Sequence, residues 1–129
     1  MRGVTSPRGA CHVEDEPASF DGRAGRFPQR ADQARALAKE GYVALAVDLY
    51  RGKVATTQED AHQLMMGTPP DRALRDLQGA FAHLQSQAAV KKGRVGAIGW
   101  CMGGRYALQL ATVEPTLAAA VAYYGAPPT

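Results

Sequence analysis

An α/β fold is what this sequence of 129 residues predicts: a mostly parallel sheet with flanking helices, behind an irregular N-terminus. Three observations carry it. Short apolar runs recur at Tyr42–Val47, Arg94–Ile98 and Ala118–Tyr123. Between them lie segments whose apolar residues repeat every three or four positions, the signature of amphipathic helices. Each run ends in a short polar or glycine-containing turn, and the resulting order (helix, strand, helices, strand, helix, strand) belongs to α/β proteins with right-handed crossovers.

Residues 1–30 stand apart. They have neither helical nor strand periodicity, and Gly, Pro and Arg dominate them, so the lead is expected to be irregular or disordered. Periodicity begins near Asp32. Ala34, Leu37 and Ala38 mark one helical face, and Gly41 suits the residue just past a helix end. Tyr42–Val47 is continuously apolar, as expected of a strand buried on both faces of a parallel sheet. Asp48–Gly52 then leaves it as a loop. Thr56 or Thr57 caps a short helix, with Glu59 or Asp60 three residues on. Ala61, Leu64 and Met65 are its expected buried side, Met65-Met66 read as core filler, and Gly67 stops it. Pro69 and Pro70 open a second helix, on which Leu74, Leu77, Phe81 and Leu84 form one stripe.

The stretch from Arg94 to Arg105 holds the chemistry. It reads as a strand, a glycine-pinched turn carrying Cys101, and the start of a helix running to Val113, which Pro115 ends. Gly99-x-Cys101-x-Gly103 is a nucleophile-elbow pattern with sulfur in place of a hydroxyl. Small-x-Cys-x-small alone is a weak signal, because buried cysteines near glycine turns are common. The strand before it and the helix after it are the context the motif requires. In that geometry the helix N-terminus favours a thiolate at Cys101, and the Met102 N–H points at the oxygen of an attacked carbonyl. Trp100 and Tyr124 flank the expected pocket and are candidate substrate-binding residues. Asp48, Cys101 and Tyr124 are all expected at strand carboxyl ends, on one rim.

Other features are weaker. His62 and His83 lie on helices and read as exposed or half-buried rather than as bases for Cys101. Asp48 reads as a turn or cap residue before a catalytic one. The net charge is +3 and residues 1–30 contain five arginines, leaving the remainder close to neutral, so no nucleic-acid-binding face is expected. The two cysteines, Cys11 and Cys101, form no C-x-x-C pair and no zinc spacing. A disulfide between them has no support, and a lone reactive thiol suits a reducing, cytoplasmic setting. No signal peptide and no apolar run of about 20 residues is visible, so no membrane span is expected. Neither glycine-rich nucleotide motif occurs, and no metal or organic cofactor is indicated.

Three stretches together resemble the dienelactone hydrolase family, within the α/β-hydrolase fold: Glu40–Gly52, Gly93–Gly104 and Ala119–Gly125. Their order and spacing agree, so the resemblance covers roughly residues 31–129 and implies a partial α/β-hydrolase domain behind the 1–30 lead. It implies hydrolysis of a small-molecule ester or lactone through a cysteine acyl-enzyme. Cys101 carries over as the nucleophile and the Met102 N–H as an oxyanion donor.

The departures are as definite. In the family an aspartate and a histidine follow the nucleophile in the chain; here 25 residues follow Gly104, and none is Asp or His. The family places a strand and a His-Glu-containing loop ahead of the first matching helix. The corresponding positions, near Asp21 and Gly22, do not match, and Glu14 is too far upstream to take the glutamate's place. Arg72 and Arg75 are only candidates for the family's substrate-binding arginine, since a solvated helix face explains both. The expectation is an incomplete family member, cut before the last strands and with residues 1–30 from another reading frame. Its hydrolysis should be slow without the acid–base partners. The alternative is a catalytically inactive fragment acting only as a binding piece. A third possibility is a thiol redox sensor built on Cys101.

Overall fold

The computed structural model describes Val4–Thr5, Cys11–His12 and residues 30–127 apart from Val54. Two compact units divide the chain, residues 1–69 and 70–129.

In the first unit, β1 (Val4–Thr5) and β2 (Cys11–His12) form a minimal antiparallel pair. The rest of the segment expected to be irregular lies outside the described residues. Helix α1 spans Arg30–Lys39. It ends as the sequence predicts, with Gly41 at φ 92°. The Tyr42 N–H donates to the Leu37 carbonyl and the Gly41 N–H to that of Ala38, at 3.2 and 3.1 Å. This nested pair is a Schellman closure, which occupies carbonyls that a helix end leaves without partners.

The expected strand at Tyr42–Val47 does not form. The chain there is non-helical, and among the described residues it enters no ladder. A parallel strand needs a hydrogen-bonded neighbour, and the described residues of this unit offer it none. Part of the run packs on α1 instead: Ala34, Ala38 and Ala44 form a small buried cluster, edged by Leu37, Val43 and Ala46, whereas Tyr42, expected to be buried, is 63% exposed. The run is apolar because it packs, but packing alone supplies no ladder.

Helix α2 (Gln58–Met66) starts at Thr57, whose hydroxyl accepts from the Asp60 N–H at 3.0 Å. The structure thus selects Thr57 over Thr56 as the cap. Thr56 instead donates its hydroxyl to the Asp60 carboxylate at 2.9 Å. No residue of α2 is buried, and Met66 is 71% exposed. The reading of Met65 and Met66 as core filler is therefore corrected: Ala61 and Leu64 of the expected buried side are half-buried, but both methionines are exposed.

The second unit opens with α3 (Pro70–Ser86), with Pro at its first position, where its missing N–H costs nothing. The predicted stripe faces inward: Ala73, Ala80 and Phe81 are buried, and Leu74, Leu77 and Leu84 are half-buried. Strand β3 (Gly96–Trp100), helix α4 (Met102–Val113) and strand β4 (Ala119–Tyr123) follow as a βαβ unit. The strands are parallel, with Gly96 opposite Ala119 and Trp100 opposite Tyr123. β3 begins and ends two residues later than the apolar run suggests. Val95 is nevertheless tied in, its carbonyl accepting from the Ala118 N–H at 2.9 Å.

Helix α4 packs on both strands and on α3. It buries Gly104, Tyr106, Ala107 and Leu110. Gln78 of α3 also donates to Glu114, the residue capping the end of α4, at 3.0 Å. The opposite face of the two-stranded sheet is open, with Ile98 43%, Val121 44% and Tyr123 49% exposed. Among the described residues no helix is long and apolar enough to cross a membrane.

Candidate active site

Cys101 sits between the last residue of β3 and the first of α4, at the N-cap position, with its side chain exposed and its thiol free. Its backbone has φ 54° and ψ −120°. That is left-handed φ for a residue with a Cβ, a conformation costing on the order of 1–3 kcal/mol that persists only where its surroundings enforce it.

Close packing does the enforcing. A Cβ on Gly99 would lie 2.1 Å from the Gly103 carbonyl oxygen and 2.7 Å from the Gly104 nitrogen. The turn can therefore be this tight only with a bare α-carbon at Gly99. The Cys101 N–H donates to the Tyr123 carbonyl at 2.9 Å, and the Cys101 carbonyl accepts from the Arg105 N–H at 3.2 Å. One bond ties the elbow to β4 and the other closes the first turn of α4.

Cys101 makes no side-chain cap of α4. By helix geometry the Met102 and Gly103 N–H groups have no intrahelical acceptor. Backbone donors at the positive end of a helix dipole, beside a presented sulfur, form an arrangement suited to an oxyanion.

Trp100 and Tyr124 end up at the same end of the sheet as Cys101, one directly before it and the other directly after β4. Tyr124 is 74% exposed and turns the chain out of the strand at φ 42°. Trp100 stacks face to face on Tyr123, with ring centroids 5.5 Å apart and planes 6° from parallel. Sequence reading gives Tyr123 no part in the site. The signal for it is register: Tyr123 lies opposite Trp100 in the ladder, and aromatic cross-strand pairs at that spacing interact.

Asp48 is not on a strand rim, because the strand expected to carry it does not form. It organises its own turn: Oδ1 accepts from the Tyr50 N–H at 2.9 Å and Oδ2 from the Gly52 N–H at 2.6 Å. This is the turn role that an Asp in such a loop suggests. His62 and His83 are exposed, and the His83 Nε2 lies 3.4 Å from Gln87 Nε2. Arg75 pairs with Asp71 at 2.9 Å on the exposed face of α3, and its hydrogen bond holds the Asp71 carboxyl below its ordinary value. Among the described residues no group of three or more His, Cys, Asp or Glu side chains converges to hold a metal ion.

The model of the dienelactone hydrolase family matches residues 24–129. The chain belongs to that family. The match starts somewhat ahead of the stretches that carry the resemblance, and it brings the α/β-hydrolase fold with it.

A Bradyrhizobium protein named "Probable 2-oxo-3-(5-oxofuran-2-ylidene)propanoate lactonase" is 38% identical over 97 residues, covering 73% of this chain and 39% of that protein. A "Putative carboxymethylenebutenolidase" of Methylorubrum extorquens is 35% identical over 99 residues, covering 73% of this chain and 34% of its own length. The carboxymethylenebutenolidase of Pseudomonas putida is 30% identical over 98 residues, covering 69% and 41%. The chain thus spans well under half the length of these relatives. No solved structure matches it significantly.

Proposed function

We propose that this chain carries the nucleophile-bearing part of a dienelactone-hydrolase-like enzyme that cleaves a small ester or lactone. The observation that supports it is Cys101 at positive φ, exposed between a parallel strand and the helix that follows. Such strain in a non-glycine residue is characteristic of functional turns. Membership of a hydrolase family, with relatives named as lactonases and carboxymethylenebutenolidases, points the same way.

In this reading the Cys101 thiolate attacks the carbonyl carbon of the substrate. The carbonyl oxygen takes up negative charge facing the Met102 N–H. The C–O ester bond then breaks, and the leaving oxygen takes a proton. Water cleaves the resulting thioester, releasing the acid and restoring the thiol. Trp100 and Tyr124 line the approach. Residues 31–129 act as the hydrolase domain behind the 1–30 lead. A reducing, cytoplasmic setting suits the free thiol, and neither nucleic acid nor membrane is a partner.

Nucleophile and base act as a unit in this reading, and losing either costs orders of magnitude. A second reading, an inactive piece that binds a partner, is favoured by the open apolar face at Ile98, Val121 and Tyr123. Hydrolysis of p-nitrophenyl acetate by the chain and by Cys101→Ala separates the two. Turnover that disappears in the variant supports the enzyme; equal background in both supports the binding piece.

A further inference from the structure

We infer that Tyr123 and Gly125, at the exit of β4, are positioning residues for Cys101 and form the second half of its elbow. This rests on the reading of Cys101 as nucleophile.

A backbone held at φ 54° and ψ −120° relaxes unless neighbours oppose every direction of escape. Gly99 and the helix side block some of them. The exit of β4 blocks the rest, through three contacts. The Tyr123 carbonyl accepts the Cys101 N–H at 2.9 Å, which anchors the peptide entering the strained residue. The Tyr123 ring stacks on Trp100, which holds the residue just before it. One residue thus grips both sides of the Trp100–Cys101 peptide.

Gly125 supplies the third contact. A Cβ there would lie 2.6 Å from the Arg105 nitrogen and 3.0 Å from the Cys101 carbonyl oxygen. Those two atoms are donor and acceptor of the bond that closes the elbow into α4. It would also lie 2.8 Å from the Gly104 carbonyl carbon. All these neighbours are backbone, so none can swing aside as a side chain does. The chain leaving β4, bent by Tyr124 at φ 42°, is laid directly against the elbow, and only a residue without a side chain fits. Neither residue need touch substrate; both act through where they hold Cys101.

The test uses the full chain in four variants: Gly125→Ala, Tyr123→Leu, Tyr123→Phe, and Gly79→Ala as a control, since a Cβ at Gly79 meets nothing within 4 Å. Two quantities are read: kcat and KM on p-nitrophenyl acetate, and the Cα and amide nitrogen chemical shifts of Cys101, which report its φ and ψ. Gly125→Ala and Tyr123→Leu should lower kcat roughly 10- to 100-fold with KM within about twofold, as small displacements of a reacting group do. Their Cys101 shifts should move. Tyr123→Phe, which keeps the stack, and Gly79→Ala should leave kcat and the shifts near those of the parent.

Unchanged kcat and unchanged Cys101 shifts in both Gly125→Ala and Tyr123→Leu overturn the inference while leaving the nucleophile standing. If the parent shows no turnover above Cys101→Ala, the nucleophile reading fails, and the shifts alone decide the positioning. If Gly125→Ala does not fold, Tyr123→Leu against Tyr123→Phe decides it.

Discussion

Two stretches of this chain look alike in sequence and behave differently in structure. Tyr42–Gly52 and Gly96–Arg105 are each an apolar run leading into a turn, and both lie within the family match. The second becomes a strand in a ladder, with a strained cysteine at its tip. The first packs Ala44, edged by Val43 and Ala46, against Ala34 and Ala38 of α1 and joins no ladder among the described residues. The difference is the neighbour. Gly96–Trp100 is linked through one helix to Ala119–Tyr123, and that helix returns the chain in parallel beside it. Tyr42–Val47 has no such companion among the described residues. An apolar run supplies the hydrophobic part of a strand; backbone pairing has to come from elsewhere in the chain.

The largest effect in this comparison should come from Gly99→Ala. The new methyl would meet the Gly103 backbone at 2.1 Å, where nothing flexible can yield. We expect a loss of about 3 kcal/mol or more, from overpacking plus disruption of the turn, read from the urea midpoint of unfolding. A wild-type midpoint would mean that the elbow is not built as described.

Hydrogen exchange sharpens the contrast next. Those amides of 96–100 and 119–123 that bond across the ladder should be protected to a much greater degree than the amides of 43–47, because only the former are fixed between two strands beneath a helix. Equal protection would show that Tyr42–Val47 is paired in solution, and would remove the difference between the two regions.

Asp48→Ala should cost about 1 kcal/mol, since its two carboxylate oxygens hold the Tyr50 and Gly52 amides of an exposed or half-buried turn. It should leave the βαβ unit intact. A drop in p-nitrophenyl acetate hydrolysis larger than the change in stability would return Asp48 to the site.

The smallest effect is acid sensitivity at the start of α2. Hydrogen bonds from the Thr56 and then the Thr57 side chain hold the Asp60 carboxyl below its ordinary value of 3.8. A carboxyl lowered on folding contributes stability above its unfolded value and loses it as pH falls through its folded value. Helicity of α2, followed by NMR, should therefore persist through pH 4 and fray below it, and Asp60→Asn should flatten that dependence.

Much of the architecture was legible in the residues. The stripe of α3, the Gly41 closure of α1, a threonine cap on α2 at Thr56 or Thr57, and the strand–Cys–helix handover all follow from local chemistry, and each occurs at or within two residues of its expected place. Local rules misread the parts that depend on partners. Met65 and Met66 read as core filler, yet both are exposed and no residue of α2 is fully buried. The site shows the same division. Gly99-x-Cys101-x-Gly103 announces a presented thiol, while Tyr123 and Gly125, although they lie in the resembling stretch Ala119–Gly125, show no role at the elbow in sequence, because their contacts with it arise only when β4 is laid beside β3.

By itself, then, the sequence determined where helices begin and end, which faces are apolar, and that a cysteine stands in a glycine-pinched turn. These are consequences of covalent geometry and near-neighbour hydrogen bonding, which act over a few residues. Only the tertiary structure decided which apolar run acquires a ladder and which residues brace the strained backbone of Cys101. Ladder bonds and close backbone contacts join residues distant in the chain, and they exist only after the intervening helix has folded back.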